Sequence, residues 1–239
     1  ELAKDLLEQI GFEARKSEYV DAKSGVSARM SITAYENLMS TAERRLLQSG
    51  DTNTSIRMGD FMGVIPAING KVELVYEGEQ EGADQISFHL INEAIKTLFP
   101  DYFTKIEKLE KAEEKGPYDT LLGWFFGSAE LFISDDLKDK EYRELLEELT
   151  GASSIVEKHL GKLDAADHYF MIEFLIWGLE AHKKLNKYRT LHDSAGHALH
   201  EGAFCVQFVN DELEGTQDLS FVLRWNIVVA DRSAHNIIA

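Results

Sequence analysis

The sequence predicts a mainly α-helical protein with a candidate β-hairpin in its last segment. Through most of the chain, apolar residues recur at the three- and four-residue spacing of amphipathic helices. The segment LSFVLRWNIVVAD, at 219–231, instead alternates apolar and polar residues, which is the pattern of a half-buried strand. We therefore expect a helical body followed by a β-element.

The composition narrows the class of protein. The chain has 239 residues, 44% of them hydrophobic, enough for one large domain or two small ones. Its 42 acidic and 25 basic residues give a formal charge of −17, which argues against binding to nucleic acid or anionic lipid. Cys205 is the only cysteine, so no internal disulfide forms and a reducing, cytoplasmic location is expected.

No targeting or membrane segment is predicted. The chain does not open with a basic and apolar leader, so we expect no signal peptide. The longest apolar run, YFMIEFLIWGL at 169–179, is shorter than the ~20 residues that a membrane span needs, and it contains Glu173. We expect this run to be a buried helix in which Glu173 has a buried partner.

The N-terminal part is predicted to contain two amphipathic helices. After the first helix the pattern breaks at Gly25, Ser27 or Ser31 can cap the second helix, and Gly50 ends it. The expected apolar face of the first helix is Leu2, Leu6, Leu7, Ile10 and Ala14. That of the second is Ile32, Tyr35, Leu38, Met39, Ala42 and Leu46.

The middle of the chain is less regular. We expect a short helix over 57–65 that stops at Pro66, and a longer helix over 84–99 before Pro100. The segment KVELVYEGEQEG between them fits either a strand or an exposed loop.

A charged run, KIEKLEKAEEKGP, marks the best candidate for a domain boundary. Apolar stretches at 118–126, 142–149, 155–160 and 168–185 predict a second helical region, with Asp135, Asp136 or Asp139 near the start of one helix. We predict four parts: a leading helix at 1–24, a helical domain at 25–115, a second helical region at 116–190, and a tail at 191–239. In the tail, AFCVQFV and the alternating segment would form the hairpin.

The chain carries no complete catalytic motif. A phosphate-binding P-loop requires G-x-x-x-x-G-K-[ST], and neither Gly70-Lys71 nor Gly161-Lys162 meets this pattern. The histidines His192, His197 and His200 are of metal-ligand type, but no zinc-protease spacing is present, and the favoured interpretation is a solvated segment without metal. No catalytic residue is predicted.

Two stretches carry a resemblance to a known family. GFEARKSEYVDAKSGVSARMSITAYENLMSTAERR and RMGDFMGVIPAINGKVELVYEGEQEG resemble the region after the nucleotide-binding core of magnesium-chelatase-like AAA+ ATPases. The resemblance covers about residues 1–188 and is strongest up to Gly82. It implies a lid-type helical bundle, and by the match of GVSAR it implies that Arg29 is the sensor 2 arginine that reaches a nucleotide phosphate. A helix start and a guanidinium suit such an anion.

The resemblance also implies partners and limits. The parent protein would bind ATP and magnesium through a core that this chain lacks, and it would act with neighbouring ring subunits on an unidentified protein substrate or adaptor. The chain alone would bind no cofactor and would be inactive. The alternative hypothesis is a non-catalytic acidic helical adaptor that binds other proteins.

Overall fold

The computed structural model describes residues 1–23, 26–27, 29–106, 116–126, 131–134, 137–189 and 204–208. This part is mainly helical, which confirms the predicted fold class at that level. The helices are α1 (Leu2–Lys16), α2 (Arg29–Ser49), a 3-10 helix (Met58–Val64), α3 (Ile65–Asn69), α4 (Tyr76–Glu81), α5 (Ala83–Tyr102), α6 (Asp119–Phe126), α7 (Asp139–Glu147), α8 (Ala152–Leu160) and α9 (Ala165–Ala181). The strands are β1 (Leu131–Ile133), β2 (Leu185–Arg189) and β3 (Phe204–Phe208).

The buried face of α1 is the predicted one, but that of α2 differs from the prediction. Ile32 is 62% exposed and Tyr35 is 41% exposed. α1 and the 3-10 helix pack against another face of α2, so the predicted stripe was wrong at these two positions. The buried residues of α2 are Met30, Ala34, Leu38, Ala42 and Arg45.

The irregular middle of the chain combines both expected patterns. Val72 and Leu74 form isolated antiparallel bridges, and the residues after them form α4. Pro66 was predicted to stop a helix. Instead it lies in the first turn of α3. A proline is tolerated there because the amide of a first-turn residue has no partner within the helix.

Helices α5 and α9 form the centre of the molecule. α5 packs against both α1 and α9, and α9 is buried without a break over 170–179. A helix that is apolar on all sides is typical of a protein interior. The described helices on both sides of the charged run share one hydrophobic core. The division into four parts stays a prediction.

The three strands form one antiparallel sheet in the order β1-β3-β2. The central strand, β3, therefore has a neighbour on each side. Because β1 and β2 occupy both edges of β3, no edge is left for the segment at 219–229. The prediction that these two segments form a hairpin was therefore wrong. The other predicted strand, at 219–229, lies outside the described residues.

Candidate functional site

Arg29, the candidate phosphate-sensing residue, is the first residue of α2 and is exposed. Its backbone N–H donates to Ser27 Oγ at 3.3 Å, so Ser27, and not Ser31, receives a bond from the helix start. Within the described residues, its guanidinium forms no ion pair or hydrogen bond. No acidic residue occupies the first turn of α2. As far as the described residues show, the guanidinium at this positive helix end is thus available to an anion.

Exposed apolar side chains lie close to Arg29 along the same helix. Ile32 follows Arg29 by three residues and is therefore its neighbour on the helix surface, and Tyr35 in turn follows Ile32 by three. Phe12, on the neighbouring α1, is also 53% exposed. The start of α2 therefore presents, within the described part of the chain, a guanidinium without a partner next to exposed apolar side chains.

A second group of charged residues is buried where α2 meets the 3-10 helix. Arg45 binds Asp60 in a bidentate ion pair, and Arg45 also donates to Thr54 Oγ1 at 2.7 Å and to the Ser55 carbonyl at 2.6 Å. Asp60 Oδ2 accepts a further bond from the Arg57 backbone N–H at 2.8 Å. The side chain of Asp60 is thus paired on both oxygens, which offsets the cost of burying its charge.

The buried group continues into the second helical region through Glu173. Glu173 Oε2 accepts one hydrogen bond from Tyr142 Oη at 2.7 Å and another from the Met58 backbone N–H at 2.8 Å. The Arg57 guanidinium lies 4.0 Å from the centre of the Tyr142 ring and donates to the Leu137 carbonyl at 3.1 Å. The prediction that Glu173 has buried partners is confirmed. We call Arg45, Asp60, Arg57, Tyr142 and Glu173 the buried charge network.

The network shifts the pKa values of its members. Burial raises the pKa of Glu173 to about 7, although the bonds from Tyr142 and Met58 oppose this. Burial also raises the pKa of Tyr142 well above its usual range, and the Glu173 carboxyl adds to this. Burial lowers the pKa of Arg57, and the like charge of Arg45 lowers it further. Glu173 therefore titrates near neutral pH.

The buried charge network has a structural role. All five residues are at most 4% exposed, so they have no surface on which a substrate could bind. Glu173 Oε1 and Arg57 Nε have no hydrogen-bond partner in the described part of the chain. What the network does is connect α2, the 3-10 helix, α7 and α9, so that the N-terminal helices and the second helical region are held together by directional bonds.

Sequence reasoning did not find this network, although a signal was present. Arg45 continues the buried stripe of α2, Asp60 lies inside a mainly apolar segment, and Glu173 interrupts an apolar run. A charge on an apolar stripe indicates a buried pair, because burying a lone charge is too costly. The partner of each buried charge could not be read from the sequence. Glu173, for example, accepts a bond from the backbone N–H of Met58, which is 115 residues away.

The remaining candidate sites receive no support. His192, His197 and His200 lie outside the described residues. Over the described ranges, no group of three or more histidine, cysteine, aspartate or glutamate side chains is arranged to hold a metal ion. Nor does any described helix have the length and apolar character needed to cross a membrane. α7 begins at Asp139, one of the three aspartates proposed near its start.

Comparisons with known proteins leave the family open. The chain matches no protein-family model, no curated protein and no solved structure.

Proposed function

We propose that this chain is the lid and C-terminal helical portion of a magnesium-chelatase-like AAA+ ATPase. In this proposal Arg29 contacts a phosphate of ATP that a separate core binds together with magnesium. Neighbouring ring subunits then respond when the lid opens after hydrolysis. Loss of the γ-phosphate would release the lid, because a guanidinium–phosphate bond is charge-assisted and strong where water is excluded.

The observation that carries the proposal is the state of Arg29. It is exposed at the first residue of α2, and within the described residues its side chain has no partner. A cation is unfavourable at a helix start unless an anion joins it there. The exposed side chains of Ile32 and Tyr35 provide an apolar surface beside it, which a nucleotide-binding core would cover.

The buried charge network supports the coupling part of the proposal. Through the Arg45–Asp60 pair and the 3-10 helix, it connects α2, which begins with Arg29, to α7 and α9 of the second helical region. A lid that transmits a movement has to move as a packed unit, since close-packed interiors pass on displacements with little loss. A shift of Arg29 on nucleotide release would therefore reach the second helical region.

The test uses the full protein that contains this chain and its ATPase core. Arg29→Ala is compared with Arg44→Ala, which removes another exposed arginine of the same helix. We expect Arg29→Ala to reduce kcat/KM for ATP by about tenfold or more, which corresponds to ~1.4 kcal/mol of lost transition-state binding. Arg44→Ala should leave it unchanged. Unchanged turnover and ATP affinity in Arg29→Ala would refute the role of Arg29.

The second candidate function is the non-catalytic acidic helical adaptor. The exposed apolar residues Phe12, Ile32 and Tyr35 fit it as well, because they could contact a protein partner directly. An adaptor does not need the guanidinium to reach a phosphate. Loss of partner binding in Ile32→Ser with normal ATPase activity in Arg29→Ala would favour the adaptor.

A further inference from the structure

Helix α2 carries an apolar strip beside its buried face. Along the strip, the spacing between neighbouring members alternates between three and four residues, so each position recurs every seven residues. This is the a and d pattern by which one helix packs against another in a coiled coil. The a positions are Ile32, Met39 and Leu46, and the d positions are Tyr35 and Ala42.

Most of this strip is not used by the core of the described residues. Ile32 is 62% exposed and Tyr35 is 41% exposed. Met39 and Leu46 are half-buried, and neither packs against the described hydrophobic core. From Ile32 to Leu46 the strip extends over about 21 Å, at about 1.5 Å per residue. α2 therefore presents a helix-packing pattern that the described helices leave largely uncovered.

The two flanks of the strip differ. Glu36 and Glu43 each follow a d position, which makes them e positions, and both are exposed. Side chains at e positions pair with charges of the facing helix. On the opposite flank, Ser31 Oγ lies 3.9 Å from the point that a Cβ atom on Gly11 would occupy, so α1 borders the strip there. The flank that α1 does not border is acidic.

We propose that an amphipathic helix of a partner protein packs along this strip, with apolar residues at its own a and d positions and lysine or arginine beside them. Ile32 and Tyr35 would insert between side chains of that helix, and its basic residues would reach Glu36 and Glu43. An apolar helix face is a common element of peptide recognition. Either candidate function can use this contact, because it depends on α2 and not on bound ATP.

The charges along the strip select this occupant over others. In a pair with a second copy of this chain, Glu36 and Glu43 would need basic residues at the g positions, which in this chain are Leu38 and Arg45, and both are buried. A second copy also adds a formal charge of −17. Anionic lipid is repelled for the same reason. A basic amphipathic helix matches both the apolar spacing and the glutamates.

The test is a nuclear magnetic resonance titration of the isotope-labelled chain with a helical peptide. The probe has about three heptads, with leucine at a and d and lysine at e and g, so that its like charges oppose its self-association. We expect the methyl signals of Ile32 and Met39 to move, with Kd on the order of 10–100 μM. A twin peptide with glutamate in place of lysine should bind at least about tenfold more weakly. A twin with a central proline, which breaks the helix, should lose at least as much.

Two apolar variants separate the strip from general stickiness of the helix. Ile32→Ser should raise Kd for the lysine peptide by about tenfold or more, because it removes an exposed member of the strip. Leu47→Ser is the matched control. Leu47 is 82% exposed on the same helix but occupies neither an a nor a d position, so its loss should leave Kd within about twofold.

Two double variants separate the acidic flank from the overall charge. Glu36→Lys/Glu43→Lys should weaken binding of the lysine peptide by about tenfold or more. Glu77→Lys/Glu79→Lys, which makes the same change of charge on exposed positions of α4, should leave binding within about twofold. Circular dichroism checks that all variants fold.

Several outcomes would overturn the proposal. One is that the methyl signals of Ile32 and Met39 stay unmoved at millimolar peptide. Another is equal weakening by Ile32→Ser and Leu47→Ser, or by the two double variants. Methyl shifts that depend on protein concentration without peptide would assign the strip to a second copy instead. Since the Arg29→Ala comparison measures ATP turnover and this titration measures helix binding, either result stands without the other.

Discussion

Arg45 and Asp60 form a buried bidentate ion pair that joins α2 to the 3-10 helix. Arg45 Nε lies 3.0 Å from Asp60 Oδ1, and Arg45 Nη2 lies 2.8 Å from Asp60 Oδ2. Burial alone would lower the pKa of Arg45, but the hydrogen bonds to Asp60 raise it, so the guanidinium stays charged. The partner carboxylate therefore compensates the buried positive charge, and removing that carboxylate leaves a buried cation uncompensated.

The first prediction follows from this dependence. Asp60→Asn should lower the free energy of unfolding by about 3–5 kcal/mol, the cost of breaking a buried pair from one side. Urea unfolding monitored by circular dichroism measures it. Glu93→Gln, which breaks the exposed pair of Glu93 with Lys96, should change stability by less than about 1 kcal/mol. A loss below about 1 kcal/mol in Asp60→Asn would contradict the prediction.

The second prediction concerns the contact between α9 and α5. A Cβ atom on Gly178 would lie inside contact distance of the Phe99 ring, which is itself fully buried. Gly178→Ala should therefore destabilise the protein by about 1–3 kcal/mol, although alanine favours helix formation. A Cβ on Gly123, in α6, meets no described atom within 4 Å, so Gly123→Ala should stabilise by about 0.5–1 kcal/mol.

Thermal unfolding of both glycine variants provides the measurement. The two substitutions are chemically the same and both lie within helices. They differ in the space that is available to the added Cβ atom. A melting temperature that rises in both variants would show that Phe99 moves aside at little cost, and that α5 and α9 are not packed closely at this point.

How far the sequence predicts this molecule depends on the range of the interactions. The helices and most of their buried faces follow from local periodicity, because a stripe of apolar residues determines which side turns inward. The stripe of α2 was misjudged at Ile32 and Tyr35, since the face that α1 covers depends on tertiary packing. The sheet joins segments far apart in the chain, and no local pattern specifies their pairing.

The candidate sites also combine features that follow from the local sequence with features that depend on long-range contacts. Arg29 at a helix start follows from its immediate neighbours, so its position was predicted, while its role stays a prediction. Glu173 in an apolar run indicated a buried partner. The identity of that partner depends on how α7 and the 3-10 helix approach α9, and only the structure gives it.

The third prediction is a pH dependence of stability caused by Glu173. Its pKa is about 7 in the folded protein, against an ordinary value of 4.5 for a glutamate. The folded state therefore binds more protons than the unfolded state between these values, and stability falls as pH rises through this window. Glu173→Gln, which stays neutral, should lack this fall. The difference in the free energy of unfolding between the unchanged chain and Glu173→Gln should change by roughly 3 kcal/mol from pH 4.5 to pH 8.

Denaturant unfolding at a series of pH values tests this assignment. Glu157→Gln is the matched control, because Glu157 is exposed on α8 and loses the same charge. Its pH profile should run parallel to that of the unchanged chain. If the Glu173→Gln profile also runs parallel to the unchanged chain, then Glu173 is ionised throughout and its pKa is not raised.

The last prediction concerns ATP and the chain by itself. The sequence has no P-loop, so Arg29 and the start of α2 would be the main phosphate contacts. An exposed ion pair contributes only about 0–1 kcal/mol, whereas even millimolar binding requires about 4 kcal/mol. We therefore expect the isolated chain to bind ATP no more tightly than about 1 mM and to show no magnesium-dependent hydrolysis. Isothermal titration calorimetry measures the affinity. Micromolar binding would mean that the chain contains a complete nucleotide site of its own, and the proposal that a separate core supplies the phosphate cradle would be wrong.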